Sequence, residues 1–294
     1  MMSPRGPISY SKELLERMSR LTLSLRKRDK LLFGTVVILL LYLLFGLLRL
    51  YPTALSLYLS FTNYRLIGGS STRFTGLANY TMLLHDPSFV IALKNTLLIA
   101  GITVPTNLLL GLCLGLFFHA KWRLTSTFQY IYFMPLVMPT SALALIWKWM
   151  YEPQGLINYL LSLVGIKPIG WLTNPDAGVW GVVILWIWKY VGYTSILFYV
   201  GLENIPRVYE EAAAIDGANS WQIFRKITFP MLMPTTFFVC ILVTTWAFQI
   251  FEPVYVMTTG CQGAFVRSVK VLVFDIYTNY FTYFKVGYAS AEAM

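Results

Sequence analysis

Trp186, Lys189, Tyr190 and Tyr193 recur at i, i+3, i+4 and i+7, a spacing that places all four on one face of an α-helix. Val243, Trp246, Ala247 and Ile250 repeat the pattern further along, with Gln249 beside them. Aromatic faces carrying a few polar tips suit a sugar ring, whose C–H face stacks on aromatics while its hydroxyls seek hydrogen bonds. The same stripes serve helix packing or contact with lipid, and periodicity alone favours that use over a sugar site. Bond-making chemistry has little to work with. The 13 acidic residues are scattered, His85 and His119 both fall between apolar runs, and there is no HExxH or CxxC spacing. Cys113, Cys240 and Cys261 read as small packing residues, with no disulfide or metal set among them. No catalytic or metal-ligating residues are therefore assigned, and an enzyme is not expected.

The elements that must position the stripes are membrane helices. The chain is 57% hydrophobic and only 12% charged, with a mean hydropathy of +0.62, a composition that a soluble core of this length does not need. Apolar runs of about 20 residues or more predict spans near Leu31–Leu59, Phe89–Phe118, Leu124–Met150, Gly178–Val200 and Phe229–Val256. Trp147, Trp149, Tyr151 and Trp180 fall at span ends, where aromatic belts lie. Pro52, Pro105, Pro135 and Pro139 interrupt spans, and their freed carbonyls need neighbouring helices or a wet cavity.

The formal charge of +10 has a topological meaning. Eight basic residues, Arg5 to Lys30, precede the first span and place the N-terminus in the cytoplasm. Alternating sides from there puts 13 basic residues inside and six outside, with the segment between the fourth and fifth spans inside. Residues 1–30 form an amphipathic N-terminal segment, with Leu14, Met18, Leu21 and Leu25 at helical spacing, suited to lying on anionic headgroups. Residues 31–294 form the transmembrane domain. Arg49, Lys94, Lys148, Lys189 and Glu252 are charges within spans and functional candidates on that ground, although Arg49, Lys148 and Lys189 are near enough to span ends to snorkel.

The inside segment reads EAAAIDGANSWQIFRKITFPMLMP from Glu211 to Pro234. Pro206 suits a first helical turn, Tyr209–Asp216 is alanine-rich, Gly217 breaks the helix, Asn219 or Ser220 caps a second one and Pro230 closes it. A polar helical hairpin between apolar spans is a surface for a partner.

Glu211, Ala212, Ala213, Asp216, Gly217, Ala218, Phe224, Ile227, Pro230 and Pro234 fall where the EAA loop of ABC-importer permeases has its fixed positions. The chain resembles permease subunits of the carbohydrate-uptake class, the maltose-type family. FTGLANY (Phe74–Tyr80), KNTLL (Lys94–Leu98), WKW (Trp147–Trp149), GLINYLL (Gly155–Leu161) and FEPVYVMTTG (Phe251–Gly260) extend the likeness. The chain departs from the family at Gly260-Cys261-Gln262-Gly263, where a Gly-Gly-Pro tract is usual, and Val286–Met294 is too short for the family's sixth span.

The resemblance implies an all-α polytopic bundle, the type I importer permease fold, with about six transmembrane helices and the last incomplete here. It implies half of a translocation pathway for a sugar or oligosaccharide in a bacterial inner membrane. Residues 201–228 would be the coupling loop, with Glu211 and Asp216 as polar contacts, Ala212, Ala213, Gly217 and Ala218 for close approach, and Phe224 and Ile227 as apolar contacts. The two stripes would line the substrate path. Implied partners are a second permease subunit, two ATP-binding subunits carrying ATP and Mg, an extracytoplasmic solute-binding protein and membrane lipid, with no nucleic acid. The chain has no GxxxxGK[ST] loop, so no cofactor is expected on it. An ion-coupled secondary carrier is the alternative, but it would want intramembrane acids and an internal repeat.

Overall fold

The computed structural model describes residues 28–68, 72–120, 124–261 and 263–294, and the N-terminal amphipathic segment lies outside them. Two units are distinguished, one ending at Leu59 and one running from Ser60 to Met294. The described part of the first is a single helix, α1 (Arg28–Ser60, its last residue counted with the second unit), none of whose apolar stretch is buried within this chain. Pro52 does not break α1. A π turn over Gly46–Leu50, in which the Tyr51 N–H reaches Gly46 O, widens the helix just before the proline and absorbs it.

The second unit runs α2 (Ala78–His85), α3 (Pro87–His119), α4 (Thr125–Val137), α5 (Thr140–Met150), α6 (Leu156–Leu163) and α7 (Pro175–Glu203). A hairpin of α8 (Arg207–Ile215) and α9 (Ser220–Ile223) follows, then α10 (Met233–Phe248), α11 (Glu252–Thr258), α12 (Ala264–Ser268), α13 (Leu272–Tyr277) and α14 (Val286–Ala293). Among the described residues the only β pairing is an isolated antiparallel bridge between Thr62 and Phe74. Among the described residues, four helices are long and apolar enough to cross a membrane, five if the bent α4–α5 pair counts as one span.

The two central helices start the same way. Asp86 Oδ1 accepts the Ser88 N–H at 2.8 Å ahead of Pro87, and Asn174 Oδ1 accepts the Asp176 N–H at 3.0 Å ahead of Pro175. α3 and α7 then share the most extensive helix interface among the described residues. Small residues set its closeness. A Cβ on Gly111 would lie 2.5 Å from Thr194 Oγ1, and one on Gly115 would lie 2.8 Å from Phe198 Cβ.

Two expectations are corrected. Leu124–Met150 is not one straight span, because α4 and α5 meet at 100°. Pro139 holds Met138 extended (φ −74°, ψ 140°) and has no N–H to continue the ladder, whereas Pro135 is tolerated inside α4. Pro230 does not close the second hairpin helix either. A π turn over Phe224–Thr228, with the Phe229 N–H on Phe224 O, carries the helix past it, so one apolar stretch runs from Ser220 to Thr258. The core gathers Ile99 of α3, Trp147 of α5, Tyr151 just beyond it, Leu185 of α7, Ile250 in the break between α10 and α11, and Val254 of α11, with Tyr151 hydroxyl donating to Gly181 O at 2.8 Å.

Three of the motifs quoted above prove to be asparagine clamps. Asn79 Nδ2 donates to Ser60 O and Thr62 O, at 2.7 and 2.8 Å. Asn95 Nδ2 donates to Ser268 O and Lys270 O at the same two distances. Asn158 Nδ2 donates to Glu152 O and Ile169 O, at 3.0 and 3.1 Å, while its Oδ1 accepts the Ile169 N–H. Each amide satisfies backbone groups at helix ends or in irregular chain that apolar surroundings would otherwise leave unpaired. Lys148 of the WKW motif does similar work, its ammonium donating to Val256 O and Thr259 O at the C-terminal end of α11.

Candidate functional site

The α7 stripe and Trp246 of α10 come together. Tyr190 and Trp246 stack with centroids 4.3 Å apart and planes 25° from parallel. Trp186 meets Tyr190 edge-on at 4.8 Å, and Tyr193 lies 5.6 Å from Trp246 and 6.3 Å from Phe133 of α4. The Lys189 ammonium sits 5.5 Å from the Tyr190 centroid and donates to Thr140 Oγ1, on the first residue of α5 beyond the α4–α5 break. The result is a cluster of five aromatic rings and one buried cation.

The second stripe divides. Val243, Ala247 and Ile250 are at most 1% exposed and pack inside the bundle, Val243 against Phe198 and Val239. Gln249 is exposed at the break between α10 and α11. Only Trp246 of that stripe therefore contributes a surface to the aromatic cluster. Nothing in the sequence singles out Phe133 and Thr140. They reach the cluster because the break reorients the chain there, and no periodic signal announces that.

The hairpin is built by local chemistry. Pro206 is the N-cap of α8 at φ −63° and ψ 124°, one residue before the first turn in which it was expected. After Asp216, Gly217 takes φ +82°, its N–H reaches Ala214 O at 3.1 Å, and the Ala218 N–H reaches Ala213 O at 3.0 Å. That pair of bonds is a Schellman closure, which requires the left-handed conformation glycine adopts cheaply. Asn219 then caps α9 in a reciprocal box, its Oδ1 taking the Gln222 N–H and Gln222 Oε1 taking the Asn219 N–H, both at 2.9 Å. Thr228 hydroxyl donates to Glu210 Oε1 at 3.2 Å and ties the two arms together.

Glu211, Ala212 and Asp216 are exposed, while Ala213, Ala218 and Ile227 are half-exposed. A cleft of about 400 Å³ lies between the arms, lined by Ala213, Asp216, Gly217, Gln222, Lys226 and Ile227 among others. Phe224 is half-buried, stacked against Trp221 at 5.6 Å and 6.1 Å from Phe229. The prominent apolar groups are instead Ile215, 86% exposed, and Trp221, 66% exposed. Large apolar residues in so polar a hairpin were the signal that could have found them. The hairpin's root is firm: Leu202, Ile205 and Leu232 are buried together against Leu112 and Leu116 of α3.

Comparison with known proteins places this geometry. Residues 107–275 match the family described as the inner membrane component of binding-protein-dependent transport systems. A probable ABC transporter permease of Pyrococcus horikoshii is 34% identical over 255 residues, covering 85% of this chain and 86% of the relative. The lactose transport system permease LacF of Rhizobium radiobacter is 35% identical over 243 residues, covering 82% and 80%. The sulfoquinovosyl glycerol transport system permease SmoG of Agrobacterium fabrum is 33% identical over 253 residues, covering 86% and 81%. A chain of a bacterial alginate ABC transporter, solved in complex with an alginate pentasaccharide-bound periplasmic protein, superposes with a TM-score of 0.76 at 24% identity. That superposition covers 91% of this chain and 88% of the other, and at such identity it establishes the fold. The helical bundle, the hairpin between its apolar spans and the matched residues agree: the chain belongs to the family of membrane permease components of binding-protein-dependent ABC transport systems.

Proposed function

We propose that this chain forms half of the translocation pathway of an ATP-driven importer for a sugar or oligosaccharide, and that residues 201–228 couple it to a separate ATPase. The observation that carries the reading is the hairpin. Its turn is locked by a Schellman closure and a capping box, its root is buried, and yet it presents Ile215, Val208 and Trp221 bare. Apolar groups displayed on a rigid polar scaffold fit an acceptor groove on a soluble subunit. The carbohydrate class is supported by the aromatic cluster of α7 and α10 and by the lactose and sulfoquinovosyl glycerol systems to which two relatives belong.

The other members of the assembly are a second permease subunit, two ATP-binding subunits that carry ATP and Mg, and an extracytoplasmic binding protein. The N-terminus and the hairpin lie on the cytoplasmic side, following the basic-residue bias. The first test is co-purification in detergent with the candidate ATPase, comparing the native chain with Gly217→Pro and Glu211→Lys. Proline cannot adopt φ +82°, so the turn must reopen. Retention of the ATPase by the native chain and its loss from both variants, with membrane insertion intact, is the expected result. Normal retention and uptake by both variants would exclude the hairpin as the coupling element.

A further inference from the structure

Of the three intramembrane lysines on α3, α5 and α7, two have ordinary explanations. Lys94 is exposed, and Lys148 spends its ammonium on two carbonyls at the end of α11. Lys189 is different. It is 4% exposed, its recorded hydrogen-bond partner is the neutral hydroxyl of Thr140, and among the described residues no carboxylate lies within ion-pair distance. Glu252, itself exposed, reaches it only through its longer-range field. One turn away on the same face, Trp186 is 5% exposed and its indole Nε1 has no hydrogen-bond partner.

These two groups share a chemical sign. An indole N–H can only donate, and an ammonium has three protons and no lone pair. A buried donor without an acceptor is costly, and a buried cation without a counter-charge more so. A neutral sugar hydroxyl could serve the indole. Only an anion supplies both the lone pairs and the missing charge. The adjoining Tyr190–Trp246 stack gives the ring that carries such an anion an aromatic surface to lie beside.

We infer that Trp186 and Lys189 form a donor pair that selects a carbohydrate bearing a carboxylate or sulfonate over its neutral counterpart, with the anion taking the place of Thr140 at the ammonium. The inference rests on the carbohydrate reading given above and names the charge of the substrate within it.

The test uses the complete transporter, this chain with its permease and ATPase partners, in lipid nanodiscs. Uronate oligosaccharides and their methyl esters form matched pairs that differ in charge but hardly in shape, and calorimetric titration gives the ratio of their affinities. The native complex is expected to prefer the acid by about tenfold or more. Lys189→Met should bring the ratio to about one, whereas Lys189→Arg, which keeps the charge, should retain a preference. Trp186→Phe, which keeps an aromatic ring and removes the N–H, should lower the ratio a few-fold. Equal affinities in the native complex, or a Met variant that still prefers the acid, would overturn the selection while leaving carbohydrate binding standing. Absence of binding for every acid and every ester would instead bring down the carbohydrate reading, and the selection with it.

Discussion

Gly192 marks the tightest approach in the bundle and gives the sharpest prediction about it. A Cβ at this position of α7 would lie 1.8 Å from Tyr132 O, 2.4 Å from Tyr132 C and 3.1 Å from Phe133 N. The obstacle is the backbone of α4, so no side-chain rotation relieves it. Restoring ordinary contact requires the helices to part by about 1.6 Å locally, which forfeits much of the dispersion energy along their crossing. Overpacking of this kind costs about 1–3 kcal/mol, and more where backbone must move. The helix propensity gained by replacing glycine with alanine returns at most about 1 kcal/mol. Gly192→Ala should therefore be net destabilising by about 1–2 kcal/mol, a fall in Tm of roughly 2–8 °C for a domain of this size. Gly101→Ala on α3 is the matched control, since nothing lies within 4 Å of the new methyl group and only the propensity gain remains. Thermal unfolding of both variants in the same detergent decides the matter. A Gly192→Ala protein as stable as Gly101→Ala would show that α4 and α7 do not cross this closely.

The clamps and caps give further outcomes. Asn95→Asp replaces a donor facing Ser268 O and Lys270 O with an acceptor, so it should destabilise more than Asn95→Ala, itself about 1–3 kcal/mol; equal losses would refute the clamp. Lys148→Met leaves the last carbonyls of α11 without their donor, and amide exchange across residues 256–261 should accelerate by about tenfold, with an unchanged rate counting against it. Asn219→Ala removes the capping box and should cost about 0.5–2 kcal/mol locally, seen as faster exchange at Ser220–Ile223, whereas Asn219→Ser should restore most of the protection. Ile215→Asp leaves every recorded contact of the hairpin in place and should lower ATPase retention without changing Tm; undiminished retention would remove Ile215 from the interface.

What could be read from the sequence was what is local. The hairpin's turn and its glycine were legible because Gly217 sits between two helix-favouring stretches, while the second cap was narrowed only to Asn219 or Ser220 until the reciprocal bonds with Gln222 decided for Asn219. The spans were legible because an apolar run of bilayer length has few other uses. Non-local geometry was not. Of Pro52, Pro105, Pro135 and Pro139, only Pro139 ends a helix; Pro52 is absorbed by a π turn and Pro105 and Pro135 by their own helices. The difference lies in what each neighbouring turn can do, which the proline itself does not reveal. The asparagine of the KNTLL motif reaches partners 173 and 175 residues away, beyond any window of periodicity. The Val243, Ala247 and Ile250 stripe looked like the α7 stripe because packing and ligand faces share the helical period.

The position of α7 ties the two candidate sites together mechanically. Its middle carries Trp186, Lys189 and Tyr190, and it ends at Glu203, four residues before the first helical residue of the hairpin. That short link is not slack, for Leu202 and Ile205 are buried against Leu232 and the side chains of α3. A Cβ on Gly201 would meet Thr235 Oγ1 at 2.8 Å, so α7 and α10 are also in close contact at the root. A push on the hairpin must therefore move α7 and α10 or tear a packed cluster, and packed clusters yield by switching arrangement more readily than by stretching. Those are the two helices whose rings form the Tyr190–Trp246 stack, and a shift of either by an ångström or so would open or close it. Replacing Ile205 with alanine should loosen the root and reduce transport per ATP hydrolysed, while substrate binding to the resting complex stays near its native value. Full coupling in that variant would mean that the drive reaches the aromatic cluster by another route.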